Sequence, residues 1–521
     1  MIMLLGSTPL AAQNKFSGLW GKYGEKWQRG NRLPDFSFAG YASGEKKIPE
    51  YKVSTNVKTT GALGDGEHDD TEAFRKAIES TESGAIYIPE GKYKITDILT
   101  IKKSGIVLRG AGINKTVLFF PKTLTDIKPN WGHTTTGKRT SNYSWSGGFI
   151  RFEGWYIGKT IAKIAESAKR GDSSLILNDA SKIKPGSRII IYIADNKEHT
   201  LFKYLYAGSP GNFSKFKGRV KIPFITRVLN ISQNTITIER PLRTDIRTEW
   251  TPVIKQFSPS LHDSGIENLT IEFPKTPYKG HFSELGYNGI DFANAAECWA
   301  KNIKIHNADS GIFTHSAFCT IKNIIITSAR PPKKGKTGHH GIELCGSDNL
   351  CESMEFKTLF IHDLGVSLGS FGNVYSDIKG PDLCMDHHKR APYSNLFTQI
   401  DAGKGTHLWH CGGGKNLGKN SAAYETFWNI KTTQPQKYPP NSFAPPLINI
   451  IGINSEEEAV TDKKGKWFEP IPPEKLLPQN LYKAQLAKRL KLIKKQVLLQ
   501  CLKKRKIFKT ASRRYTLTPL R

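Results

Sequence analysis

The chain has 521 residues, 38% of them hydrophobic, with 47 Gly, 28 Pro and a formal net charge of +30. No run of 18 apolar residues occurs, which speaks against a membrane-spanning helix, and the composition is that of a turn-rich globular chain, not a disordered one. The charge is uneven: residues 481–521 hold 14 Lys or Arg and no Asp or Glu, leaving +16 for residues 1–480.

At the start, "MIMLLGSTPLAAQ" is short, apolar and ends in small residues. It predicts the remnant of a secretory signal peptide over residues 1–12, and with it a secreted or periplasmic location. Next, "GALGDGEHDDTEAFRKAIES" predicts a Gly/Asp turn and a helix capped by Asp69 or Asp70, with Phe74, Ala77 and Ile78 on one apolar face. "GAIYIPEGKYKI" and "SGIVLRGAGINKTVLFF" are short β-rich runs broken by Gly and Pro. No Lys-Ser or Lys-Thr pair follows "RGAG" at phosphate-loop spacing, so it reads as a tight turn.

The ordered set Gly61-Ala62, Gly64-Asp65-Gly66, Asp69-Asp70-Thr71, Ala77-Ile78, Ile88-Pro89, Gly91-Lys92-Tyr93 and Leu108-Arg109-Gly110-Ala111-Gly112 resembles the entry of the pectate-lyase superfamily. The resemblance implies a right-handed parallel β-helix with the helix near residues 70–80 over its open end. It says little about chemistry, because one fold hosts many activities.

Residues 121–255 break the pattern and read as an inserted β-subdomain. Its Trp131, Tyr143, Trp145, Trp155, Tyr204 and Tyr206 can line a sugar cleft or simply pack. From Gly265 strand-like units recur, anchored on Asn268, Asn302, Asn323, Asn373, Asn395 and Asn429. A period in the twenties with variable insertions is that of a parallel β-coil. The expected architecture is therefore all-β, with residues 53–120 and 256–450 forming one coil. Residues 451–490 are expected to close its C-terminal end, and 491–521 form a basic tail. That tail fits a nucleic-acid or membrane arm, or a solvated extension; like-charge blocks favour the extension, and no nucleic-acid partner is expected. Six of the seven Cys lie between Cys298 and Cys411 without a CxxC pair, which favours small buried residues over disulfides or zinc ligands.

Nine of the 14 His fall between His306 and His410. His315, His340, His362, His388 and His410 recur near the rung period, so imidazoles of successive turns can stack at roughly 4.8 Å along one groove. The stretch "DLCMDHHKRAPYSNLF" crowds Asp386, His387, His388, Lys389 and Arg390. Leu383 and Met385 set the inward phase, so Asp386, His388 and Arg390 are expected to face outward, with His387 and Lys389 on the other side. The candidate catalytic set is Asp386, His387, His388, Lys389, Arg390, His340, His362 and His410. Lys404, His407, Trp409 and Lys415 of a Gly-rich loop, with Tyr393, His315, His339 and Asp309, are candidate substrate contacts. Carboxylates such as Glu343 and Asp363 can orient imidazoles or hold Ca²⁺, although no D-x-D-x-D-G loop is present and nothing in the sequence requires a metal.

A basic body suits a polyanion. The expected function is cleavage of an anionic polysaccharide, uronate-bearing or sulfated, by β-elimination in a monomeric enzyme. His388 is then the base, Asp386 its orienting group, and Arg390 or Lys389 the neutralising cation. Two alternatives stand beside it: a polygalacturonase-type hydrolase using Asp309, Asp363 and Asp386, and a non-catalytic glycan-binding β-helix.

Overall fold

Apolar residues at alternate positions give each rung one inward face, and successive rungs stack those faces into columns. In the computed structural model, which describes residues 14–462 and 465–495, the strands form two parallel sheets wound into a right-handed β-helix. The longer sheet runs from Val53–Asn56 through Gly84–Ile88, Ile106–Gly110, Gly265–Glu272 and Trp299–His306 to Asn449–Ile453 and Trp467–Glu469. The second, which carries the site, is ordered Leu99–Ile101, Ile150–Glu153, Asn288–Ala296, Ser310–Ala317, Gly338–Leu344, Phe360–Val366 and Met385–His387. Its inward column is Leu99, Ile150, Ile290, Ile312, Ile342, Leu364 and Met385. Facing it, Leu108, Ile266, Ala300, Ile321, Cys351, Tyr375, Phe397, Phe427, Ile450 and Phe468 form one register column of the longer sheet. All belong to one core, and each large side chain buried there contributes about 1.5–3 kcal/mol.

The Asn anchors resolve into two ladders. Asn268, Asn302, Asn323 and Asn429 take left-handed backbone angles and bend their strands. Side-chain amides link the first three, with Asn302 Nδ2 donating to Asn268 Oδ1 and Asn323 Nδ2 to Asn302 Oδ1, each at 2.8 Å. Asn373 and Asn395 belong to a second, buried ladder that begins at Asn349 and ends on Glu425. The irregular step of 50 residues between Asn323 and Asn373 joins members of different ladders.

The helix Thr71–Ser80 buries Phe74, Ala77 and Ile78 in the same core. Of the two candidate caps Asp69 takes the role, its carboxylate accepting the amide of Thr71, the first helical residue, at 3.1 Å; Asp70 is the N-cap residue, but its carboxylate accepts the Leu63 and Gly64 amides and ties back the Gly-rich turn. An antiparallel six-stranded sheet occupies Ile157–Phe257. Ile150–Glu153, placed by the sequence in the insertion, is instead a parallel rung, because its alternation supplies Ile150 and Phe152 to the coil core. The insertion's core includes Phe371, Ala391 and Tyr393 of the coil, so it stands as a wall beside residues 389–393.

Within residues 451–490, Val460–Thr461 pairs antiparallel on the outer edge of the last rung, while residues 481–495 form a helix. With the N-terminal segment this helix packs on the flank of the coil, where Trp20, Phe36, Leu481 and Tyr482 share a core with Leu350, Val374, Leu396 and Trp428. The last coil rung is Trp467–Glu469. The signal-peptide reading of residues 1–12 and most of the basic-tail reading of 491–521 lie outside the described residues. Six cysteines are free thiols.

Candidate functional site

The site is built where the alternation of the second sheet slips by one residue. Gly341 faces the core against the Phe356 ring, and so does Ile342. Two consecutive inward positions leave both His340 and Glu343 outward. On the next rung Asp363 takes the same inward corner, its carboxylate satisfied by the amides of Cys384 (3.0 Å) and Phe360 (3.3 Å). His362 and Gly365 therefore face out. In register, His340 lies beside His362, and Gly365 separates Glu343 from Asp386. A side chain at Gly365 would strike the Glu343 carboxylate, which leans over it.

Asp386 is fully buried and organises its surroundings. Its carboxylate accepts the Gly412 amide at 2.7 Å and the His388 Nδ1–H at 2.8 Å, and lies 3.2 Å from His362 Nδ1. Burial alone would raise its pKa, but His362, His388 and the Gly412 amide outweigh that and hold it well below the usual carboxylate range. His388 is the half-exposed member, with 32% of its side chain accessible. Burial pulls its pKa down, and the charge and hydrogen bond of Asp386 more than reverse this, so the net shift is upward. With Nδ1 engaged, Nε2 is left for other work. Gly412 passes so close that any side chain there would strike the His388 and His362 imidazoles.

Deeper lie three buried imidazoles, His339, His340 and His362, with ring centres 4.1–5.4 Å apart. Burial, with the neighbouring histidines, pushes His339 and His340 well below the ordinary value; burial takes His362 down to about 3. Glu343 is pushed up to about 7 by burial and by Asp386. His281 sits at the exposed rim, 4.5 Å from the His339 ring. His410 stacks parallel to His362 at 6.3 Å.

Among the sequence candidates, His339, His340, His362, Asp386, His388 and His410 thus come together. His387 does not: it faces the core against Phe397, Phe427 and Phe443, as alternation required. Alternation does not reach Arg390, because the strand ends at His387 and Lys389, Arg390 and Ala391 all turn left-handed. Arg390 is still near enough for its charge to act on His388 and Cys345. His315 misses the column, since the residue in register with His340 is Ser310; it stands instead by Arg151. Asp309 is structural, paired with Arg330 at 2.7 Å and accepting the Gly286 and Tyr287 amides. Tyr393 is buried on Phe371, and Trp409 packs edge-on against Phe427 and Phe443 with its indole N–H on the Lys437 carbonyl. Neither offers a sugar platform. His407 bridges Lys336 (3.0 Å) and Asp382 (3.1 Å), while Lys404 and Lys415 are exposed. Tyr143 and Tyr206 of the supposed sugar cleft are likewise buried.

Sequence reading missed His281 and Glu284. Both lie on the irregular stretch between the strands Gly265–Glu272 and Asn288–Ala296, where no period marks them. A hollow of about 720 Å³ follows the outer Asn ladder of the longer sheet, remote in register from these groups and lined mainly by amide and strand-end side chains. Among the described residues, the concentration of imidazole and carboxylate is at the second sheet.

Residues 54–142 match the family model described as rhamnogalacturonase A/epimerase, pectate lyase-like, and residues 360–499 match a domain of unknown function, DUF4955. Mannuronan C5-epimerase AlgE3 of Azotobacter vinelandii is 36% identical over 101 residues, which is 18% of this chain and 5% of that one. Plasmin and fibronectin-binding protein A of Streptococcus pneumoniae is 26% identical over 317 residues, 54% of this chain and 40% of its own. The chain thus spans less than half the length of these relatives. The tailspike protein gp49 of Pseudomonas phage LKA1 superposes with a TM-score of 0.41 at 14% identity, covering 73% of this chain and 65% of that one.

Proposed function

We propose that this protein is a carbohydrate-active enzyme that opens an anionic polysaccharide by β-elimination in the groove of the second sheet. The observation that carries the proposal is the Asp386–His388 pair. A buried carboxylate fixes Nδ1 of a half-exposed imidazole at 2.8 Å, which leaves its other nitrogen to take a proton from a bound sugar. Removal of the proton next to a uronate carboxylate places charge on that carboxylate; the C4–O4 bond then breaks as the C4–C5 double bond forms, and the leaving oxygen takes a proton from the His388 imidazolium or from water. Arg390 and the basic body supply the compensating field. The relative that is a mannuronan C5-epimerase fits the same opening step, proton removal at C5.

Hydrolysis is less well served. Glu343 and Asp386 differ in pKa as an acid and a carboxylate should, but both are buried and their oxygens lie within 4.8 Å of each other. Carboxyl groups that flank a glycosidic bond stand about 5–9.5 Å apart, with the sugar between them.

The test is a screen of the full chain against pectate, alginate, ulvan, carrageenan and glycosaminoglycans. New ultraviolet absorbance from a C4–C5 double bond is the expected result. Reducing ends without that absorbance would replace elimination by hydrolysis, and a changed sugar configuration by proton NMR would replace it by epimerisation. Binding with no chemical change would make the protein a glycan-binding β-helix.

A further inference from the structure

We propose that His281, His339 and His362 hold a divalent first-row transition ion of the Zn²⁺ type at the floor of the groove, with one coordination position open to it.

His339 and His362 are 1% and 2% exposed, and the Nε2 of neither has a hydrogen-bond partner. Each unpaired buried polar atom costs about 1–3 kcal/mol, so a pair of imidazoles left this way needs a reason. The three side chains come from three separate segments: the irregular stretch before Asn288, the strand Gly338–Leu344 and the strand Phe360–Val366. Each brings one potential ligand atom to within 4.8 Å of the other two, and the two buried members lie behind an exposed His281. A three-histidine set with one side open is the donor set of a reactive zinc centre rather than of a closed structural one.

The surroundings agree. The Nδ1 of His339 faces Glu284 Oε1 at 3.4 Å, and Nδ1 of His362 faces Asp386 Oδ2 at 3.2 Å. Glu284 is itself held by the Tyr278 hydroxyl at 2.5 Å. A carboxylate behind each ligating imidazole is the usual support of such a metal, fixing the tautomer and the ring plane. Nitrogen donors select a borderline ion such as Zn²⁺ and exclude Ca²⁺, which takes oxygen ligands. That changes the expectation drawn from the carboxylates alone. His388 is left outside the ligand set, free to act as base, while Asp386 serves both His388 and His362.

The role of the ion, to neutralise an anionic group of the sugar, rests on the function proposed above. Its binding does not, and is tested separately. The tag-free full chain, stripped with a chelator and dialysed, is titrated with ZnCl₂ and with CoCl₂. About one equivalent of Zn²⁺ should bind, and Co²⁺ should develop the visible bands of a low-coordinate nitrogen site. His281→Ala, at the exposed rim, should weaken binding at least about tenfold, and Glu284→Gln about 10- to 100-fold. His68→Ala, at an exposed position near the N-terminal helix, should leave it unchanged. No stoichiometric binding by the folded wild-type chain, or unaltered binding by His281→Ala, would overturn the inference. The wild-type titration keeps the test valid if a variant does not fold. Zn²⁺ bound at these residues without product from any polysaccharide would uphold the metal and remove the proposed function. Elimination by a chain that binds no metal would do the reverse.

Discussion

Two neighbouring histidines separate the proposed chemistry from packing. His388 reaches the groove and is oriented by Asp386; His387 lies among three phenylalanines, its Nδ1 on the Met385 carbonyl at 2.9 Å. On a polysaccharide that the wild type cleaves, His388→Ala should lower kcat per folded molecule by about 10²- to 10⁴-fold, the scale of a lost general base. His387→Ala should do the opposite, costing about 2–4 kcal/mol in urea unfolding through the cavity it leaves, with kcat per folded molecule nearly intact. Equal kinetic losses in both variants would mean that the strand end is not ordered as described. Gly365 offers a finer probe. Gly365→Ala places a methyl group where the Glu343 carboxylate lies, so it should reduce kcat by roughly tenfold or more through displaced groups, with the cost of overpacking, about 1–3 kcal/mol, showing in stability.

At the scale of the element, the strands were legible because each carries a period of two and recurs at a period in the twenties. What that pattern could not separate was two ladders with the same spacing. Asn323 and Asn373 look alike in sequence, yet one bends a strand at the surface and the other joins a buried chain of amides. The physical difference is desolvation, which a single sequence does not display. The slip at Gly341 and Asp363 was hidden for a related reason, since neither residue is apolar and yet both face inward. It moved His340 and His362 to the groove by a route the alternation rule does not contain, and the rung-period spacing found them anyway. His281 and Glu284 sit on an irregular stretch and enter the site only through tertiary packing. The ladders make a quantitative prediction. Asn373 donates to Asn395 and the Gly346 carbonyl and accepts from Asn349. Asn373→Ala therefore leaves buried amides unpaired and should cost about 2–4 kcal/mol. Asn302→Ala, partly exposed, should cost about 1–2 kcal/mol, chiefly for a left-handed backbone without the side chain that tolerates it. Urea unfolding of the two variants would reveal the order, and a larger loss at Asn302 would contradict the assignment of buried and surface ladders.

For the molecule as a whole, a β-coil is close to one-dimensional, with each rung supported by its neighbours, so its flanks matter as much as its ends. Here one flank is covered by residues 14–50 and the helix 481–495 acting together. The helix presents Tyr482, Gln485 and Arg489 on one side, at the spacing of a single helical face. Tyr482 donates to the Ala39 carbonyl and Gln485 to that of Pro34, while Gln485 also accepts the Phe36 amide. Arg489 pairs with Glu45 at 2.6 Å, donates to the Ser37 carbonyl and lies 4.0 Å over the Phe38 ring. Three polar side chains thus take up main-chain groups that the N-terminal segment cannot pair in a sheet. It follows that the C-terminal residues divide sharply in importance. A chain ending at residue 495 should unfold at the wild-type midpoint and turn over a soluble substrate at the wild-type rate. A chain ending at residue 480 should be strongly destabilised or fail to fold, because it exposes the apolar flank and strands those carbonyls. Arg489→Ala isolates one part of this, and losing its partly buried contact with Glu45 and its bond to the Ser37 carbonyl should cost about 1.5–3 kcal/mol. Calorimetry of the three chains decides the matter: an unchanged midpoint after removal of residues 481–521 would show that the coil holds its own flank, and a loss confined to the shorter truncation would place the boundary of the folded unit between residues 480 and 495.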